Sequence, residues 1–98
     1  MVINKKTDGT SIVFSVAGRL NTNTAVELET EVKSSIENMT DVTFDLKELE
    51  YISSAGLRVL LSVQKIMNKK GKMTIINCND DIMDIFDVTG FTDILNIE

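Results

Sequence analysis

A chain of 98 residues, 43% of them hydrophobic, is long enough for one domain burying roughly 60 to 70% of its unfolded surface, and too apolar to be disordered. Its net charge of −5 leaves no basic excess to neutralise phosphates, so nucleic acid is not expected as a partner. The absence of histidine removes histidine-dependent triads, and the single cysteine, Cys78, excludes an internal disulfide and fits a reducing cytoplasm.

The opening MVINKKTDG turns polar after three residues, unlike the apolar segment of a signal peptide. No run approaches the roughly 20 apolar residues that cross a bilayer. A soluble cytoplasmic protein with no membrane partner is therefore expected.

Val2 to Lys6 reads as a strand, and Ser11 to Ala17 as a second, in which Ile12, Phe14 and Val16 alternate with Ser11, Val13 and Ser15. Between them Asp8-Gly9 suits a tight turn with positive φ, which predicts a hairpin. Gly18 to Asn23 is a polar break. Thr24 followed by Glu27 has the pattern of a capping box, opening a helix along which Ala25, Leu28, Val32, Ile36 and Met39 recur every three or four residues. That stripe is read as core rather than as a partner groove.

Val42, Phe44 and Leu46 alternate with Thr43 and Asp45 as a third strand, followed by a loop over Lys47 to Ile52 and a helix from Ser54 to Asn68. At about 100° per residue, Leu57, Val59, Leu60, Leu61, Val63, Ile66 and Met67 fill one apolar arc. Arg58, Ser62, Lys65 and Lys69 fall opposite, as a solvated basic stripe. Lys69 and Lys70 favour the last turn, and Gly71 is expected to end it in the left-handed conformation. Met73 to Ile76 is the near-continuous apolar run of a buried strand, and a helical crossover between the two strands predicts that they are parallel. Asn79-Asp80-Asp81 opens a third helix with Ile82, Ile85 and Phe86 inward, Gly90 ends it, and Phe91 to Ile97 is expected as a short edge strand. The order β-β-α-β-α-β-α-β describes a single α/β domain over residues 1–98, a mixed four- to five-stranded sheet with helices packed mainly on one face.

Chemistry is concentrated in the turn before the second helix. Ser53 or Ser54 is a natural N-cap, a contact typically worth about 1 kcal/mol, and one serine suffices for it. Two adjacent hydroxyls followed by the small Ala55 and Gly56 leave an open turn, to which a partner's backbone or a phosphoryl group can come close. There is no GxxxxGK[ST] loop, and no motif places a base beside Ser53, Ser54 or Cys78. Asp45 and Glu48 are read as solvated acids. Neither an enzyme nor a metal or cofactor site is expected.

The run Ile52-Ser53-Ser54-Ala55-Gly56-Leu57, continuing into Arg58, Val59, Leu60 and Leu61, resembles the turn of the sulfate transporter and anti-sigma factor antagonist (STAS) family, in particular its bacterial anti-sigma factor antagonists. Gly18, Leu20, Asn21, Thr24 and Ala25 match the family's frame in the loop before the first helix, and the resemblance extends over nearly the whole chain. It implies that Ser54 is the phosphorylated serine, with Ser53 as a competing acceptor. It also implies that Gly18, Leu20, Asn21, Thr22, Ser53, Ser54, Ala55, Gly56 and Arg58 form one partner-binding surface. The implied partners are an anti-sigma factor serine kinase of the GHKL ATPase type and a metal-dependent serine phosphatase. The other role found in the family is a constitutive scaffold subunit of a transporter, lipid-transport or signalling complex. Ser53 and Asn21 stand where the family usually has Asp, each keeping a capping side chain while removing a charge. Arg58, four residues after Ser54 on the same helical face, is a candidate partner for a phosphate or for an acidic group on the kinase or phosphatase.

Overall fold

The computed structural model describes all 98 residues. In chain order they form β1 (Val2–Asp8), β2 (Ser11–Leu20), α1 (Thr22–Ser35), β3 (Asp41–Asp45), β4 (Leu49–Ile52), α2 (Ser54–Met67), β5 (Lys72–Ile76) and α3 (Asp80–Thr89), followed by a 3-10 turn over Phe91–Asp93. The hairpin forms as expected: Asp8 pairs with Ser11 across Gly9, whose φ is 61°. β2 then pairs in parallel with β3, and β3 with β5, so the path across the sheet is β1-β2-β3-β5. β4 lies off that path, parallel to the far end of β2, and completes a mixed five-stranded sheet.

The alternation read in the sequence places Ile12, Phe14 and Val16 on one face of the sheet, level with Val42 and Phe44 of β3 and Met73 and Ile75 of β5. These side chains join the inner residues of the three helices in a single core of 23 buried apolar residues. Phe14 and Phe44, paired across β2 and β3, stack with ring centroids 5.4 Å apart. The other face carries the partly exposed Ser11, Val13, Ser15, Thr43 and Asp45, so the helices cover one face, as expected.

Four local expectations are corrected. The Lys47 to Ile52 segment is not all loop, because Leu49–Ile52 is a strand; its buried-exposed-exposed-buried pattern hides the alternation that marks one. α1 ends at Ser35, and Met39 packs on the core from the following turn. Gly71 is absent from the residues with positive φ, so it is not a left-handed cap. A Cβ there would lie 1.8 Å from the Thr40 carbonyl oxygen, and that close approach is what requires glycine. The expected C-terminal edge strand shrinks to a single bridge between Ile75 and Ile97, with Asn96 over Thr74 on the otherwise open face.

Candidate functional site

The rim of the sheet is shaped by a change of partner along β2. Its first half pairs with β3 and its last three residues with β4, and the register shifts between Gly18 and Arg19. Gly18, with φ of 97°, supplies the backbone conformation at the kink. The Gly18 N–H donates to the Glu48 carbonyl at 3.0 Å, and the Ser53 N–H donates to the Leu20 carbonyl at 2.8 Å. The end of β2 and the start of α2 are therefore fastened to each other. The Gly18 to Asn23 and Ser53 to Gly56 segments are brought together at this junction.

Leu20 and Gly56 make that junction rather than its surface. Leu20 is 1% exposed, and a Cβ on the buried Gly56 would lie 2.7 Å from Leu20 Cγ and 2.9 Å from Ile52 Cγ1. Their place in the expected partner-binding set is corrected accordingly: both are packed inside, and the glycine lets the helix start sit directly on Leu20. Gly18 acts through its backbone and lies against Met1.

Capping is divided differently from the sequence reading. Asn21, not Thr24, is the N-cap of α1: its Oδ1 accepts from the Asn23 and Thr24 N–H groups, each at 3.0 Å, while Thr24 Oγ1 accepts from the Asn21 N–H at 2.8 Å. Thr24 thus fills the third position of the box, where Glu27 was expected to close it. At α2 the cap is Ser53, whose Oγ accepts from the Gly56 N–H at 3.2 Å. Ser54, the first helical residue, is exposed and plays no part in the cap. No acidic residue stands in the first turn of α2, whereas Asp80 and Asp81 occupy that of α3. The positive end of the α2 dipole is left without a counter-charge at Ser54.

Around this turn the exposed Thr22, Ser54 and Arg58 and the half-buried Ala55 form the outer surface. Arg58 separates two shallow grooves. One runs between α1 and α2 and is lined by Thr22, Ala25, Val26, Glu29, Ala55 and Val59. The other runs toward the end of α3 and is lined by Ser54, Leu57, Leu61, Thr89 and Phe91. Val26, 66% exposed, borders the first. Two residues not anticipated from the sequence complete the rim. Arg19 and Tyr51 are register partners on β2 and β4, both exposed, with the guanidinium carbon 4.4 Å from the ring centroid. Neither has a local signal, because only the β2–β4 pairing puts them side by side. Cys78 lies elsewhere, half-buried, and burial raises its thiol from 9.0 to about 11. No three acidic or cysteine side chains gather where they could hold a metal ion, and no helix is long and apolar enough to cross a membrane.

The architecture is an α/β domain whose helices cover one sheet face and whose rim is built by the β2–α1 and β4–α2 turns. Residues 2–98 match the STAS domain model, and the chain belongs to that family. It is 32% identical over 94 residues to BtrV of Bordetella bronchiseptica, which bears the name of an anti-sigma factor antagonist, covering 94% of this chain and 80% of that protein. An anti-sigma factor antagonist from Mycobacterium paratuberculosis has the same fold, with a TM-score of 0.89 at 18% identity over 98% of this chain and 83% of that one. The Bacillus cell fate determinant SpoIIAA, in its phosphorylated form, superposes with a TM-score of 0.78 at 13% identity, over 99% of this chain and 91% of that one.

Proposed function

We propose that this domain is an anti-sigma factor antagonist that binds an anti-sigma factor serine kinase when Ser54 is unmodified and releases it when Ser54 is phosphorylated. The observation that carries the reading is the division of labour between the two serines: Ser53 is held as the helix cap, while Ser54 is exposed at the helix start and caps nothing. The relatives named as antagonists support the binding role, and the phosphorylated state of SpoIIAA supports the form of control.

The chemistry is a phosphoryl transfer supplied by the partner. The Ser54 Oγ bonds to the γ-phosphorus of ATP, the bond to the β-bridging oxygen breaks, ADP leaves, and the hydroxyl proton passes to the kinase. A phosphoserine adds about −1.5 to −2 charge, taking the chain from −5 to roughly −7. Location matters more than the total. A phosphate in the middle of a tight contact leaves bulk and charge without hydration, and a mismatch of about 3 kcal/mol loosens binding more than a hundredfold. The fold tolerates the group, since an anion at a helix N-terminus is rewarded by about 0.3 to 1 kcal/mol. A metal-dependent serine phosphatase would restore the binding form.

The test is a pull-down with wild type, Ser54→Ala and Ser54→Asp, together with phosphopeptide mapping after incubation with ATP and the anti-sigma factor serine kinase that the pull-down recovers. The expected result is a partner kept by wild type and Ser54→Ala and lost by Ser54→Asp, with label on Ser54 rather than Ser53. A partner held equally by all three variants, with no label on either serine, would overturn the switch in favour of a constitutive scaffold.

A further inference from the structure

Ser54 and Arg58 stand one helical turn apart at the start of α2 and line the same groove. Residues four apart on a helix have Cβ atoms about 5–6 Å from each other, and long side chains lean toward the preceding turn. A guanidinium at 58 therefore reaches a group carried at 54. The three ion pairs of the structure, Lys5–Glu31, Lys33–Glu29 and Lys72–Asp41, all use lysines, so Arg58 has no carboxylate of its own. The only carboxylate lining either neighbouring groove is Glu29 on α1, and Lys33 holds it at 3.3 Å. The chain has only two arginines, and the other, Arg19, is stacked on Tyr51. Arg58 is thus an exposed cation without a fixed partner, beside the one hydroxyl of the turn that does no capping.

We infer that Arg58 is the internal partner of a phosphoryl group on Ser54, closing over it from the next turn of α2. Modification then withdraws two groups from the surface at once: the free hydroxyl, and the one uncommitted cation between the two grooves. The rim loses the charge with which it meets a partner, in addition to gaining a bulky anion. This rests on Ser54 being the phosphoacceptor, as proposed above. A guanidinium suits the role because it offers paired donors to phosphate oxygens.

A cation at this distance favours the doubly ionised phosphate, so it lowers the second ionisation of phosphoserine, which otherwise lies near 6. Removing the cation raises it. Glu29, the facing carboxylate, is present in every variant and cancels in the comparison. The experiment uses the full chain with phosphoserine genetically encoded at position 54, titrated by phosphorus NMR. Arg58→Gln is expected to raise the second ionisation by about half a unit, Arg58→Lys to restore most of it, and the difference to shrink in 1 M salt. Lys65→Gln, further along the same basic stripe, is expected to leave it unmoved. Coincident titrations of wild type and Arg58→Gln would overturn the inference, as would an equal rise in Lys65→Gln. Because neither kinase nor partner is added, failure here leaves the antagonist reading standing, and failure of a kinase to label Ser54 leaves this titration interpretable.

Discussion

The backbone N–H of Ser53 donates to the carbonyl oxygen of Leu20 at 2.8 Å, and this bond fastens the start of α2 to the end of β2. The same residue then turns its side chain to the Gly56 N–H, so Ser53 is spent twice on structure. Its neighbour Ser54, one position later, is left to face solvent. Two adjacent serines thus acquire different roles, one held by a backbone bond and a capping bond and the other left free.

Stability measured by urea unfolding separates these roles. Ser53→Ala loses the α2 cap and is expected to cost about 1 kcal/mol, while Ser54→Ala stays within about 0.5 kcal/mol of wild type. Asn21→Ala removes the acceptor of two N–H groups in α1 and costs about 0.5–2 kcal/mol, whereas Asn21→Asp keeps that acceptor and is neutral or stabilising. Equal losses at Ser53 and Ser54 would contradict the assignment of the cap.

The two packed glycines should respond differently from ordinary helix glycines. Alanine normally gains about 1 kcal/mol over glycine inside a helix. At Gly56 the new methyl meets the branched carbon of Leu20 at 2.7 Å, and overpacking of about 1–3 kcal/mol outweighs the gain, so Gly56→Ala is expected to destabilise the fold. At Gly71 the obstacle is the Thr40 carbonyl at 1.8 Å, backbone that also accepts from the Lys72 N–H at 3.0 Å. Gly71→Ala must displace the edge of β5 and should cost about 3 kcal/mol or more, read as a lower thermal midpoint.

The Arg19–Tyr51 pair predicts a binding effect without a comparable folding effect. An exposed cation–π contact contributes about 0.5–1 kcal/mol, so Tyr51→Ala should cost no more than that in unfolding. Tyrosine and arginine are over-represented among the few residues that carry most of the affinity of an interface. Titration calorimetry with the retained partner is expected to show a loss of about tenfold or more, that is about 1.4 kcal/mol, for Tyr51→Ala. Unchanged affinity would place the pair outside the interface.

Cys78 supplies a pH dependence. Burial raises its thiol from 9.0 to about 11, so the folded chain holds this proton where the unfolded chain releases it. Its contribution to stability is complete below about pH 9 and is lost as the pH rises toward 11. Stability measured across that range should fall less steeply for Cys78→Ala than for wild type. At neutral pH the native thiol should react slowly with a disulfide reagent and rapidly once unfolded, because the thiolate is the reactive form.

Much of this protein is written locally. The alternation of Ile12, Phe14 and Val16, the arc from Leu57 to Met67, and the Asn79 and Gly90 caps of α3 are each settled by residues within a turn or two, and the structure reproduces them. The shared helical face of Ser54 and Arg58 belongs to the same class, because a spacing of four is fixed by helix geometry alone. What the local pattern did not decide is how the rim is joined. β4 escaped the alternation, and with it the pairing of Gly18–Leu20 to Leu49–Ile52, the juxtaposition of Arg19 with Tyr51, and the choice between the two serines as cap. Those features depend on backbone hydrogen bonds between segments some thirty residues apart in the chain. They arise only when the register shift at Gly18 turns the end of β2 toward β4. The sequence alone determined which groups stand at the start of α2, and the tertiary structure decided which of them remain free to act.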